Sequence, residues 1–231
     1  MKKSTLLLAG LLALNTTSKA DEGMWTLFNL PDAIYTQMVD YGFKLPCDML
    51  YNSPNAISNY VVNFSGFCSG VVVSPEGLVF TNHHCGFGAI NALSTVEHDY
   101  MRDGFYAKSY VEELPCERTF VSFMRSQEDI TDRIAPLIAN KSLQRQGEII
   151  DSIENVMNAE VKKKDKTLHL EVAPFYERNK FYATTYQDFT DVRLVFTVPK
   201  SMGKFGGDTD NWMWPRQTCD FSVFRIYADP K

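Results

Sequence analysis

The stretch from residue 59 to residue 82 constrains this chain more than any other. Tyr60-Val61-Val62 runs into a Ser65-Gly66 turn, Val71-Val72-Val73 into Ser74-Pro75-Glu76-Gly77, and Leu78-Val79-Phe80 follows. Short β-branched and aromatic runs punctuated by turn residues are the mark of hairpins, so a compact antiparallel β unit is expected here. Further strands are expected at 119–124, 168–172, 180–186, 192–198 and 221–227, with a glycine-rich loop, Gly203-Lys204-Phe205-Gly206-Gly207, between the last two. Residues 31–42 read as a short helix, with Ile34, Met38 and Tyr41 at helical spacing and Gly42 as its stop. From 127 to 166 the pattern turns charged and helical, with Ile130, Ile134 and Leu137, then Ile149, Ile153 and Val156, on one face. Pro136 is expected to kink or break the first of these helices, and the whole stretch reads as a helical insertion lying on the surface. The expected fold is mainly β with inserted helices.

The first twenty residues stand apart. Lys2 and Lys3 precede an apolar run from Leu6 to Leu14 and a polar stretch ending Ser18-Lys19-Ala20, the order of charge, hydrophobe and small residue that marks a secretory signal. The run is about half of the roughly 20 residues needed to cross a bilayer as a helix, and no later segment is long and uncharged enough to try. Residues 1–20 are therefore expected to be a signal peptide, the mature protein to begin at Asp21, and the product to be exported without a membrane span. The net charge is −5, and the leader's three lysines contribute to the basic side of that balance. Nucleic acid is not expected as a partner, because binding it needs a basic face. A content of 45% apolar and 13% aromatic residues suits a folded core rather than a disordered chain. All five cysteines lie beyond the leader, where disulfides persist, and an odd number leaves one without a partner in this chain.

Chemistry concentrates in Phe67-Cys68-Ser69-Gly70-Val71 and its continuation to Thr81-Asn82-His83-His84-Cys85. This run resembles the first catalytic hairpin of chymotrypsin-like peptidases, in which a Cys-x-Gly strand is followed by a turn, an apolar strand and a Thr-x-x-His-Cys ending. The resemblance implies an antiparallel β-barrel, the first of two, with His84 as general base and a Cys68–Cys85 disulfide tying its loop to the neighbouring strand. His83, one place earlier on what reads as extended chain, is expected to face the other way. Adjacent histidines also raise the thought of a metal. No HExxH motif or paired Cys-x-x-Cys supplies further ligands, so neither metal nor cofactor is expected. A histidine base needs a carboxylate behind it, and Asp220, opening the alternating run Asp220-Phe221-Ser222-Val223-Phe224, resembles the aspartate of such enzymes. Its bland reading is a turn residue at a strand start.

Three blocks narrow the resemblance: Asp21-Glu22-Gly23-Met24-Trp25, Thr81-Asn82-His83-His84-Cys85-Gly86, and Gly206-Gly207-Asp208-Thr209-Asp210-Asn211-Trp212-Met213-Trp214-Pro215-Arg216. From residue 21 to the end the chain resembles the bacterial dipeptidyl-peptidase 7 and 11 family. That implies a serine exopeptidase of the Gram-negative periplasm or cell surface that releases dipeptides from the free N-terminus of oligopeptides. It also implies that Asn211 and Trp212 hold the substrate's α-ammonium group, with a carbonyl acceptor and a π-face, and it makes a homodimer a candidate assembly. Acidic and bulky-apolar substrate preferences both stay open. The family's nucleophile lies in a Gly-x-Ser-Gly turn of the second barrel, and nothing between Asp220 and Lys231 supplies it. Residues 21–231 are thus expected to be the N-terminal part of a peptidase domain, truncated before the second barrel and inactive alone. A secreted non-catalytic binding protein and a fragment of a trypsin-like endopeptidase are the alternatives. Cys47 and Cys116, each preceded by Leu-Pro, are candidates to pair, which would leave Cys219 single.

Overall fold

The computed structural model describes residue 23, residues 25–203 and residues 218–228. The leader assigned to 1–20 lies outside the described residues, as do Asn211 and Trp212. The chain divides into two compact units, Met1–Lys44 and Leu45–Lys231. In the first, helix α1 (Asp32–Asp40) starts after Pro31, whose φ of −63° suits a helix entry, and carries Asp32 in its first turn. It stops where Gly42 takes a φ of +100° and returns its N–H to the Val39 carbonyl, matching the helix read at 31–42.

Among its described residues the second unit holds ten strands. They are β1 (Val61–Phe64), β2 (Cys68–Val72), β3 (Leu78–Thr81), β4 (Phe105–Tyr106), β5 (Leu114–Pro115), β6 (Val121–Asp129), β7 (Leu168–Phe175), β8 (Lys180–Phe189), β9 (Asp191–Thr197) and β10 (Ser222–Tyr227). Helices α2 (His83–Leu93), α3 (Tyr100–Asp103), α4 (Thr131–Ile138), α5 (Leu143–Lys164) and α6 (Lys200–Gly203) punctuate them. These ten strands join one antiparallel sheet in the order β4-β9-β10-β3-β2-β1-β6-β8-β7, with β5 also pairing β9. The architecture is mainly antiparallel β with helices inserted, as the hairpin pattern implies.

The sheet is strongly curled. Strands β1 and β10 stand three places apart in the order, which in a flat sheet would separate them by about 14 Å. Yet the rings of Phe64 on β1 and Phe224 on β10 meet at 4.8 Å between centroids. The enclosed space is filled by Val62, Phe64, Val79, Val121, Leu194 and Phe224, with Ile90 of α2 packed among them. Burial of these side chains at about 1.5–3 kcal/mol each is what bends the sheet around a common centre.

The charged stretch corrects two expectations. Helical structure begins at Thr131, not at 127, because Gln127, Glu128 and Asp129 extend β6 and pair with Thr184, Ala183 and Tyr182 of β8. Cross-strand pairing there overrides local polarity. Nor is the stretch a surface appendage: Ile134 of α4 and Ile150 of α5 bury against Leu170, Val172 and Phe181 of β7 and β8, forming a second apolar cluster. Pro136 sits inside α4, which runs two residues past it and ends at Ile138. Helix α5 also guards the sheet edge, where Asn158 Oδ1 accepts the Leu170 N–H at 3.0 Å and Glu154 Oε2 the Val172 N–H at 2.7 Å. An edge whose amides are already bound is a poor template for a further strand.

Candidate active site

Strand β3 delivers the site. Thr81, at its end, turns its hydroxyl onto the Ser69 carbonyl of β2 at 2.8 Å, and Asn82 leaves the strand with φ −72° and ψ 151°. Helix α2 then starts at His83, which corrects the reading of His83 and His84 as extended chain. Its sequence, with Gly86 and Gly88, is a weak helix former, so packing holds it rather than propensity. Cys85 is bonded to Cys68, with Cα atoms 6.0 Å apart, and Ile90 is fully buried. Gly86 is needed for close approach: a Cβ there would meet the Phe224 ring at 2.8 Å.

Successive helix residues point about 100° apart, so His83 and His84 still diverge, for helical rather than extended reasons. His83 is 1% exposed, whereas the His84 side chain is 63% exposed. Across from it stands Asp220, just ahead of β10. His84 Nδ1 meets Asp220 Oδ2 at 2.6 Å, and the His84 backbone N–H donates to Oδ1 at 2.9 Å. The second of these bonds caps α2. The first-turn N–H groups of a helix lack intrahelical partners, Asn82 makes no side-chain cap, and a carboxylate from far along the chain fills the position at the positive end of the helix dipole.

Asn82 does something else. Its amide donates to Asp220 Oδ2 at 3.1 Å and to the Asp220 carbonyl at 3.2 Å, while its own carbonyl accepts the hydroxyl of buried Ser222 at 3.0 Å. Sequence reasoning passed over Asn82 as a site residue. The available signal was an asparagine directly before the histidine pair, at the end of an expected strand. Burial by itself would raise the Asp220 carboxyl, but the His84 amide and ring and the Asn82 amide outweigh it and hold the group below the usual carboxylate range. With its Nδ1–H given to the carboxylate, His84 presents Nε2 as a lone pair with no hydrogen-bond partner among the described residues. This arrangement can take a proton from a hydroxyl and return it.

Cys68, His84 and Cys85 place donor atoms within 4.8 Å of one another. Both sulfurs are spent in the disulfide and His84 Nδ1 is held by Asp220, so the set offers a single imidazole nitrogen and does not fit a metal. The other cysteines correct the sequence reading: Cys47 and Cys116 are both free, as is Cys219. Cys116 is buried among the apolar cluster, which pushes its thiol up to about 12, while Cys47 is exposed.

The family model described as Peptidase S46 matches residues 20–231. Dipeptidyl-peptidase 7 of Porphyromonas endodontalis is 48% identical over 231 residues, covering 99% of this chain and 28% of that protein. Dipeptidyl-peptidase 7 of Porphyromonas gingivalis is 45% identical over 233 residues, and the Asp/Glu-specific dipeptidyl-peptidase of the same species 44% identical over 244. Each aligns with 99% of this chain, which covers 32% and 33% of their respective lengths. Among solved structures, Porphyromonas endodontalis DPP11 in complex with substrate superposes with a TM-score of 0.80 at 37% identity, over 90% of this chain and 31% of that one. The chain thus spans 28% to 33% of the length of these relatives. It belongs to the peptidase S46 family.

Proposed function

We propose that this chain supplies the histidine–aspartate half of a serine-type dipeptidyl-peptidase that releases dipeptides from the free N-terminus of oligopeptides. The observation that carries the reading is the His84–Asp220 pair, at 2.6 Å, with the far nitrogen of His84 turned to solvent. In this reaction a serine attacks the carbonyl of the substrate's second residue while His84 Nε2 takes the serine proton. His84 then returns the proton to the departing amine, and water releases the dipeptide from the acyl-enzyme by the same proton route. Asp220 holds the Nδ1–H tautomer and steadies the imidazolium. Asn211 and Trp212 receive the substrate's α-ammonium group and so set the cut two residues in, a role carried by their family resemblance.

The serine is proposed to come from outside these 231 residues. The relatives' greater length supports this, and the chain by itself is then inactive. The leader at 1–20 supports export, with Asp21 as the mature start. The test uses the full-length parent protein. It should release dipeptides from a peptide with a free amine and leave the N-acetylated peptide intact, and His84→Ala should abolish release. Cleavage of the N-acetylated peptide at an equal rate would mean an endopeptidase. Retention of activity by His84→Ala would remove His84 from the chemistry.

A further inference from the structure

His83 is a buried histidine that the reaction does not use. Its Nδ1 lies 3.1 Å from Thr197 Oγ1 at the end of β9, and that hydroxyl gives its own hydrogen to the Val198 carbonyl at 3.2 Å. His83 therefore donates from Nδ1, which leaves Nε2 as a buried acceptor with no partner among the described residues. Burial, against the pull of Asp220 and with the neighbouring His84 adding to it, holds the His83 imidazole below its ordinary value. The opposite edge of the ring is the seat of Gly203 at the end of α6. A Cβ on that glycine would stand 2.5 Å from Cδ2 and 2.6 Å from Cγ, so nothing larger than glycine fits against this ring. The Phe87 ring closes the remaining side, edge to face at 6.1 Å.

These contacts close a circuit. His83 is joined by a peptide bond to His84, and its ring packs on Gly203. The preceding residue, Met202, accepts the Cys219 N–H at 2.9 Å, and Cys219 precedes Asp220, which returns to His84. The His84–Asp220 bond is one side of this circuit, and the thickness of the His83 ring is another.

We infer that His83 is a positioning residue: wedged between Thr197 and Gly203, its imidazole sets the spacing between the first turn of α2 and the end of α6, and through Met202 and Cys219 the placement of Asp220 against His84. The inference rests on the reading of His84 and Asp220 as the catalytic pair. It assigns His83 no contact with substrate and no proton transfer.

The test measures kcat and KM of the full-length parent on a dipeptidyl substrate, well below its unfolding temperature, together with the low-field proton resonance of the His84 Nδ1–Asp220 bond. His83→Leu keeps bulk but loses the donor. It is expected to lower kcat by ~10-fold to ~100-fold, the range a misplacement of about 1 Å produces, with KM little changed. His83→Asn restores a donor at the Nδ1 position and should recover most of the loss. Gly203→Ala should lower kcat and displace the low-field proton in the wild-type background, and add nothing once His83→Ala has vacated the space. Where His83→Leu does not fold, His83→Asn and the Gly203→Ala pair of backgrounds make the same comparison.

Loss of thermal stability with kcat unchanged in His83→Leu and Gly203→Ala would overturn the inference. An equal cost of Gly203→Ala in both backgrounds would do the same. If the wild-type parent releases no dipeptide, the peptidase reading fails separately. The low-field proton then still decides, because its being unmoved in both variants refutes a positioning role.

Discussion

Among the described residues two histidine–aspartate pairs have nearly equal geometry, and they differ in how far the histidine is exposed. His84 and Asp220 meet at 2.6 Å beside β3 and β10; His169 and Asp188 meet at 2.7 Å on β7 and β8. In the second pair the other oxygen of Asp188 holds the Ser122 hydroxyl at 2.6 Å, the far nitrogen of His169 faces Glu171 at 3.4 Å, and the ring stacks on Tyr186 at 5.1 Å. Its side chain is 19% exposed against 63% for His84. A short histidine–carboxylate bond therefore does not make a base. What separates the two is whether the second nitrogen is free to meet a substrate group.

The regions around the pairs differ in the same sense. The cluster beneath His84 joins residues from Val62 to Phe224, brought together only when the sheet curls and closed by a disulfide. The cluster beneath His169 runs from Ile130 to Ala183, largely from neighbouring elements. Contacts between distant parts of the chain cost more loop entropy, so the site-bearing region is the one that depends on the whole fold.

The sharpest contrast is expected between the two aspartates. In the full-length parent, Asp220→Asn should lower kcat by about 10⁴-fold, because an amide facing Nδ1 forces the wrong tautomer, whereas Asp188→Asn should leave kcat within about twofold. Steady-state kinetics on both variants checks this, and a comparable loss in Asp188→Asn would erase the distinction. Next come the cores. Phe224→Ala should cost about 3–5 kcal/mol and Ile134→Ala about 2–5 kcal/mol in urea unfolding. Only Phe224→Ala should also reduce activity per folded molecule, since Phe224 packs on Gly86 beneath the His84 turn.

Removing the disulfide with Cys68→Ser and Cys85→Ser should cost about 3 kcal/mol, as expected for a loop of this size. A reductant should produce the same drop in the wild type and none in the double variant. The smallest effect is expected from acid. The Lys180 ammonium, the Thr131 hydroxyl and the Thr131 amide hold Asp129 at about 2, below its usual 3.8. A lowered carboxyl binds its proton more readily when unfolded, so its stabilisation is full above the unfolded value and is lost as pH falls toward 2. Asp129→Ala should flatten the acid limb of stability between about pH 4 and pH 2. An unchanged limb would show that Asp129 does not couple β6 to α4.

Much of this was legible from local pattern. β-branched and aromatic runs between turn residues placed the strands of the hairpin unit, and the resemblance of the stretch around His84 and of the strand opened by Asp220 to a peptidase family implied the Cys68–Cys85 disulfide and the aspartate ahead of β10. The helix from His83 to Leu93 was not legible, because its glycines argue against a helix and its cap arrives from Asp220. The reach of β6 to Asp129 was hidden too, since polar residues on a strand are stabilised by a partner the local sequence does not contain. The free state of Cys47 and Cys116 likewise depends on where the fold puts them, one exposed and one in the core.

The sequence by itself determined where the short strands run and, through its resemblance to a peptidase family, which side chains are candidates for chemistry, since hairpin punctuation and the histidine–cysteine motif are written within a few residues. Tertiary structure decided which of them meet and which histidine of the pair stays exposed. Asp220 reaches α2 from 136 positions away, and no local pattern records that distance being closed by a curled sheet and a shared core.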